Sequence, residues 1–529
     1  MSNSLFAGAP RPKPNILLIM CDQLRFDSAG GPGPRLVKTP NIDSIARGGL
    51  RFTNAYTPQP ICCPARQSLL TSRRPERDGF LWNYDIALKV ASLEPDPRLW
   101  PARLAHTGYR MVYVGKWHES ENHSPLDFGY DTYDGDEGYK AFREEAYGPA
   151  VYVNGIDGEV DPVPPEGAHT HWLAGLACKR LGELTANDDK RGDCAGFVAD
   201  GDVKRCESGD IDADGGVSSV TGEPWHMRVD FTEPHPPYRP CAEFAGMYAA
   251  CDVPVRDSFR EDFTNKPYIQ KQMIHTWGME NYDWKRWSEI IARYYAVVSQ
   301  VDDAIGKILR ELDRRGCRDN TLVILTTDHG DMCGAHRMID KHNVLYDDIV
   351  HVPLMMRWPG ALPAGIEIPA FVHNTLDIGP TILEAVGLSD CANLESGATI
   401  NAADMNGAAA GEARVVDGRS LFPLFNGDTP SGWRDCAVSA YNGQQFGLYT
   451  QRMIRDNDWK YIWNTSDIDE LYDMRGDPAE LTNRVYDPEC AGILKSMRRR
   501  LCEILVNEGD GLMKNYWLRD QLMGATVKI

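Results

Sequence analysis

The chain has 529 residues, 42% of them hydrophobic, and a formal net charge of −20. That length exceeds one small domain and predicts two, one of them large. The acidic balance excludes a general binder of nucleic acid or anionic membrane, so an anionic substrate has to be met by a local cationic pocket.

No apolar run approaches a membrane span. The run Ile16–Met20 is too short for a signal-peptide core and has no small-residue cleavage site behind it. The 14 cysteines are scattered, without framework or metal-type spacing. Reduced thiols and a cytoplasmic location are therefore expected.

Asn15–Met20 reads as a strand buried on both faces. At its carboxyl end stand Asp22 and Gln23, hard oxygen donors suited to a metal, and then Arg25. A capped helix start follows at Thr39–Ala46, then a short strand at Leu50–Phe52. Cys62-Cys63-Pro64-Ala65-Arg66 reads as a turn entering a helix, with Pro64 at the first helical position and Cys62 just before it. Free N–H groups there favour negative charge, and Arg66, one turn on, can point back to the same place.

A second strand, Gly108–Val114, leads through Gly115 to Lys116 and His118, which in extended chain face one cavity. Residues 119–224 are rich in Gly, Asp, Pro and Glu, and read as an insertion shaping the pocket mouth. Within it, Asp210–Gly215 starts like a calcium loop, but Thr221 stands where a bidentate Glu is needed, so it reads as a polar loop. A third strand, His226–Phe231, precedes His235, whose backbone is fixed by prolines on both sides.

Trp287–Arg315 is a long amphipathic helix. A fourth buried strand, Thr321–Thr327, ends in Asp328 and His329, and Lys341 follows. Four apolar strands thus end in Asp-Gln, Lys-x-His, Pro-His and Asp-His, which describes one site at the carboxyl edge of a mixed sheet. Thr375–Gly387 reads as a helix. From Trp433 onward short strands precede a helix near Ile493–Val506. The apolar residues after Gly509, among them Met513, Tyr516, Trp517, Leu518 and Leu522, suggest packing on a neighbouring subunit. Residues 1–425 form the expected catalytic domain and 426–529 a smaller subdomain with its tail.

Cys62-x-Pro64-x-Arg66 followed by Leu70-Thr71-x-Arg73 resembles the sulfatase signature, with Ser72 where that family usually has Gly. Cys63 does not fit the spacing, so Cys62 is the matching residue. Gly115-Lys116-Trp117-His118, Phe231-x-x-Pro234-His235 and Asp328-His329-Gly330 are similar to further segments of the family. The resemblance covers nearly the whole chain apart from the insertion.

It implies an alkaline-phosphatase-like α/β fold, a large mixed sheet between helices, with a C-terminal α+β subdomain carrying a small antiparallel sheet. It implies that Cys62 is oxidised to formylglycine by a formylglycine-generating enzyme. The hydrated aldehyde is then the nucleophile, and a covalent sulfo-enzyme forms. One divalent cation, Mn²⁺ or Ca²⁺, would be held by Asp22, Gln23, Asp328, His329 and residue 62, with the single imidazole favouring manganese. Arg66, Lys116 and Lys341 would offset charge on the ester oxygens, His118 would act as base and His235 as leaving-group acid.

The expected reaction is hydrolysis of aryl or sugar sulfate monoesters, a small anionic substrate, by a homo-oligomer without nucleic-acid or membrane partners. Asp22-Gln23-x-Arg25 resembles instead the phosphonate monoester hydrolase branch, so phosphonate monoesters or phosphodiesters are the alternative substrates. A non-catalytic binding protein on the same fold is a remoter one.

Overall fold

The computed structural model describes residues 13–31, 35–84, 89–186, 222–388, 399–400, 414–443 and 447–524. The Asp210–Gly215 loop lies outside the described residues.

The large sheet has eight strands: β1 (Asn15–Asp22), β2 (Leu50–Tyr56), β3 (Arg110–Gly115), β4 (Thr132–Asp134), β5 (Trp225–Pro234), β6 (Thr321–Thr327), β7 (Leu354–Arg357) and β8 (Ile366–His373). Their order is β4-β3-β5-β1-β6-β7-β2-β8. β7 pairs antiparallel with both neighbours, and the remaining pairs are parallel. β1 is central, wholly buried, and its side chains alternate between two cores. Leu17, Ile19 and Cys21 enter one core, and Ile16, Leu18 and Met20 enter the other. A strand apolar at every position is what burial on both faces demands.

One face is covered by a helix at Trp284–Arg314, begun by Asp283, whose side chain accepts from Arg286 N. Ile290, Ile291, Tyr294, Val298, Val301, Ile305, Ile308 and Leu312 are all fully buried along its stripe. A second helix, His169–Thr185, lies beside it. On the opposite face the helix Cys62–Thr71 packs against the helix Asn374–Ala385.

Residues 119–186, expected as an insertion at the pocket mouth, also build part of the core fold. They supply the edge strand β4 and the core helix His169–Thr185. Small residues and a weak apolar pattern hide that helix in the sequence, and a three-residue strand carries no periodicity to read.

A pair of two-residue strands, β9 (Thr399–Ile400) and β10 (Arg414–Val415), precedes a four-stranded antiparallel sheet. This sheet is β11 (Ala437–Tyr441), β12 (Gln451–Arg455), β13 (Trp459–Asn464) and β14 (Glu470–Asp473), in sequential order. The helix Ala491–Asn507 covers it, burying Met497, Leu501 and Leu505. Met513 and Leu522 of the tail join this same core, whereas Tyr516 and Trp517 are exposed. Among the described residues every cysteine is a free thiol, and no helix is long and apolar enough to cross a membrane.

Candidate active site

The helix carrying Cys62 begins two residues earlier than its sequence suggests. Cys62 occupies the first turn and Pro64 the third position. A proline is accommodated there because the first four N–H groups of a helix have no intrahelical acceptor. All ten residues of the helix are buried, and Cys62 itself is 2% exposed.

Cys62 Sγ lies 3.3 Å from His329 Nε2 and 3.9 Å from Asp22 Oδ1. Asp22, Cys62, Asp328 and His329 each offer one ligand atom within 4.8 Å of the others. The donors come from the ends of β1 and β6 and the start of the Cys62 helix, with His329 267 residues beyond Cys62 in sequence. His329 Nδ1 donates to the Gly330 carbonyl at 2.9 Å, which aims Nε2 at the cluster; burial lowers its pKa, but Asp328 and the Cys62 sulfur raise it to about 9.

Burial and the neighbouring Asp22 charge hold the Asp328 carboxyl above its usual range. Two buried carboxylates in mutual repulsion beside an imidazole fit a divalent cation. Burial disfavours the Asp22 carboxylate, and the Cys62 sulfur does too, but Lys116, His235 and Arg66 prevail and lower its pKa. Burial alone would push the Cys62 thiol up. Lys341, Lys116 and His329 outweigh it and hold the thiol well below its ordinary value.

Gln23 sits in the left-handed region at φ 68°, an unusual backbone for this residue. Its N–H donates to Asp328 Oδ1 at 3.1 Å. Its side-chain amide donates to Asp331 Oδ2 at 2.8 Å and Asp340 Oδ1 at 3.0 Å. That fixes Oε1 on the opposite side, where it accepts from Lys341 Nζ at 3.1 Å and keeps a second lone pair. Tyr294 braces this turn from the core helix, accepting from Arg25 N at 3.0 Å and donating to Gln23 O at 3.1 Å.

Lys116 Nζ reaches Asp22 Oδ2 at 2.5 Å. Its chain exit depends on Gly115 at φ 102°, where a Cβ would stand 2.2 Å from the Asp230 carbonyl oxygen. His118 hydrogen-bonds the Cys62 side chain. Lys341 Nζ also meets His235 Nε2 at 2.7 Å, while His235 Nδ1 donates to Pro236 O at 2.7 Å. His235 Nε2 is thus an acceptor in this arrangement, and the proton between the pair rests on Lys341.

Arg66 departs from its expected place over the substrate oxygens. Its Nε donates to Asp328 Oδ2 at 3.0 Å, Nη1 to Asp230 Oδ2 at 2.6 Å and Nη2 to Asp22 Oδ2 at 3.2 Å. All four side chains are fully buried. A guanidinium with three carboxylates around it holds the metal-type ligands apart and in place, rather than facing solvent. Arg25 is likewise committed inward, to Asp27, Asp348 and the carbonyls of Asp331 and Met332.

Sequence reasoning missed three residues below the site. Asp230 also binds Arg228 at 2.6 Å and the Tyr113 hydroxyl at 3.0 Å. Arg228 reaches Glu119 Oε1 at 2.6 Å, and Glu119 Oε2 accepts the His118 N–H at 2.8 Å. The available signal was Arg228 and Asp230 two residues apart inside a buried apolar strand, where unpaired charge is prohibitive.

The sulfatase family model matches residues 14–388. The chain belongs to the sulfatase family. This sulfatase is a sulfuric ester hydrolase of the alkaline phosphatase superfamily. Residues 398–507 match the model described as N-sulphoglucosamine sulphohydrolase, C-terminal. A choline-sulfatase of Rhizobium meliloti is 28% identical over 485 residues, spanning 90% of this chain and 83% of its own. An arylsulfatase of Clostridium perfringens is 26% identical, spanning 95% of this chain and 96% of its own. The solved phosphonate monoester hydrolase of Agrobacterium radiobacter superposes with a TM-score of 0.70 at 23% identity, over 94% of this chain and 96% of that one, a likeness of fold.

Proposed function

We propose that this sulfatase hydrolyses sulfate monoesters with residue 62, oxidised from cysteine to formylglycine, as its nucleophile and a covalent sulfo-enzyme as its intermediate. The observation that carries the reading is the approach of Cys62 to Asp22 and His329, with Asp328 in the same cluster and Lys116 and Lys341 lowering the thiol pKa. Asp22, Asp328 and His329, with Gln23 Oε1, would hold a divalent cation, whose role is to make the attacking hydroxyl acidic at neutral pH.

Lys116 and Lys341 bind and neutralise the ester oxygens, since these are the lysine charges that act on Cys62, Lys116 beside Asp22 and Lys341 beside Gln23. Arg66 acts through the carboxylates it holds. His118, placed by Glu119 through its backbone N–H, takes the proton of the second hydroxyl so that the covalent ester can collapse. Lys341 supplies the proton to the departing alcohol oxygen and His235 orients the ammonium. Oxidation of a residue 2% exposed has to precede folding, so the maturation enzyme acts on the unfolded chain.

The second reading, phosphonate monoester hydrolysis at the same site, keeps one observation in its favour, the Gln23 amide held beside the cluster. Arg25 no longer supports it, because its guanidinium is spent on Asp27 and Asp348. Cys62→Ala tests the proposal. Its sulfate-ester turnover falls below about a thousandth of the parent if residue 62 is the nucleophile, and near-parent rates refute the assignment.

A further inference from the structure

A cavity of about 510 Å³ opens beside the nucleophile site, sharing His235 as a wall. That size lies within the usual range for small-molecule pockets. Its lining sets charged side chains among the apolar surfaces of Tyr139, Tyr152, Pro236 and Pro237, and most of that charge is already paired inside the protein. His169 is held between Glu233 at 2.9 Å and Asp136 at 3.3 Å. Arg143 bonds Asp161 at 2.9 Å, and Asp161 also accepts from the Tyr152 hydroxyl at 2.7 Å.

Four buried atoms on residues lining this cavity lack a hydrogen-bond partner among the described residues: Asp136 Oδ1, Arg143 Nε, Glu233 Oε2 and Arg239 Nε. Asp136 Oδ1 still faces His169 at 3.3 Å and Arg143 is held through its other two nitrogens, which leaves Glu233 Oε2 and Arg239. Arg239 stacks its guanidinium over the Tyr152 ring, 3.8 Å from the centroid, and faces no carboxylate ion pair among the described residues. Stacking fixes the plane of the fork without using its N–H donors, which leaves it pre-organised for an oxyanion. A carboxylate oxygen without a donor calls for an O–H or N–H from a ligand.

We infer that this cavity receives the alcohol part of the ester, and that the alcohol is a polyhydroxylated ring bearing a second anionic group, a carboxylate or another sulfate, read by Arg239, with a ring hydroxyl donating to Glu233. The inference rests on the proposed sulfate-ester reaction for its chemistry, but not for its binding site. His235 joins the two, touching Lys341 on one side and lining the cavity on the other. An apolar aryl group would leave both Glu233 Oε2 and Arg239 unpaired, which is how the site discriminates against it.

The test compares monosulfated glucuronates with correspondingly monosulfated glucoses, using the mature enzyme and its Arg239→Ala and Arg239→Lys variants. The parent is expected to favour the glucuronate series at least tenfold in kcat/KM, chiefly through KM. Arg239→Ala brings that ratio to within about threefold of one, and Arg239→Lys lies between. An aryl sulfate assayed in parallel reports whether each variant keeps an intact nucleophile site. No preference in the parent, or an Arg239→Ala loss equal across all three substrates, overturns the inference. Free glucuronate against free glucose, measured by binding to Cys62→Ala protein, separates the two levels. Selective glucuronate binding that Arg239→Ala abolishes upholds the cavity even if sulfate turnover fails, and equal or absent binding of both sugars rejects it even if turnover succeeds.

Discussion

Arg66 Nη1 lies 2.6 Å from Asp230 Oδ2, and both side chains are fully buried beneath Cys62. Asp22 and Asp328 share the same guanidinium, so one cation offsets three carboxylates in a dry interior. Arg66→Ala leaves those charges uncompensated and is expected to cost about 3–5 kcal/mol of stability. Denaturant unfolding checks this. A residue that only contacted substrate would lose activity with its unfolding midpoint unchanged.

The 2.7 Å contact between Lys341 Nζ and His235 Nε2 implies a leaving-group role for the pair. Replacing either by Ala should slow esters of poor leaving groups by about 10²–10⁴-fold. Aryl sulfates with acidic phenols should be far less affected. The measurement is the dependence of rate on leaving-group pKa, which steepens in the variants. An unchanged slope would place proton donation elsewhere.

Buried histidines set the acid limit of stability. Burial, and then Arg228, pushes His226 down to about 3, and burial pushes His351 down to about 4. Both are neutral when folded and take up a proton on unfolding below pH ~6.5. Their contribution is therefore whole above that pH and is lost as pH falls, at roughly 2.7 kcal/mol per pH unit where both titrate. His226→Leu should lower the measured slope by about 1.4 kcal/mol per pH unit, one proton's share, in unfolding experiments between about pH 4 and 6.

His169 works in the opposite direction. Burial lowers it, but Glu233 and Asp136 prevail and raise it to about 10. The stability it adds is complete below pH ~6.5 and is lost as pH rises through 10. His169→Gln should flatten the alkaline side of the stability profile and leave the acid side as it was.

Ser72 closes the Cys62 helix at φ 53° and ψ 30°, the left-handed cap that glycine adopts without a Cβ penalty. Its carbonyl accepts from Asp417 N at 2.9 Å and Gly418 N at 3.1 Å, so the turn cannot relax freely. Ser72→Gly is expected to stabilise the fold by about 1 kcal/mol, read as a higher Tm. No gain would mean the serine hydroxyl compensates for the strain.

Much of this site was legible because buried strands write themselves as apolar runs, and each run stops at a polar pair. Asp22, Lys116, His235, Asp328 and His329 all follow that rule, and the structure gathers them at one sheet edge. The direction of Arg66 was not legible, since helical spacing gives the turn on which a side chain sits but not which carboxylates meet it. Asp230 and Glu119 were hidden for a related reason. Their charges make sense only beside Arg228, and the pairing with Glu119 joins residues far apart in sequence. The helix His169–Thr185 and strand β4 were read as insertion because small residues and a three-residue strand leave no period to detect.

The most direct test of the account is a paired assay of an aryl sulfate and an aryl phosphonate monoester, on protein shown by peptide mass to carry the aldehyde at residue 62. Activity would be restored to chelated enzyme with Mn²⁺ and, separately, with Ca²⁺. The account predicts a clear preference for the sulfate, with manganese the better metal. A clear preference for the phosphonate would contradict it and make Asp22-Gln23 the better guide to the reaction, and equal activity in calcium alone would remove the case for manganese.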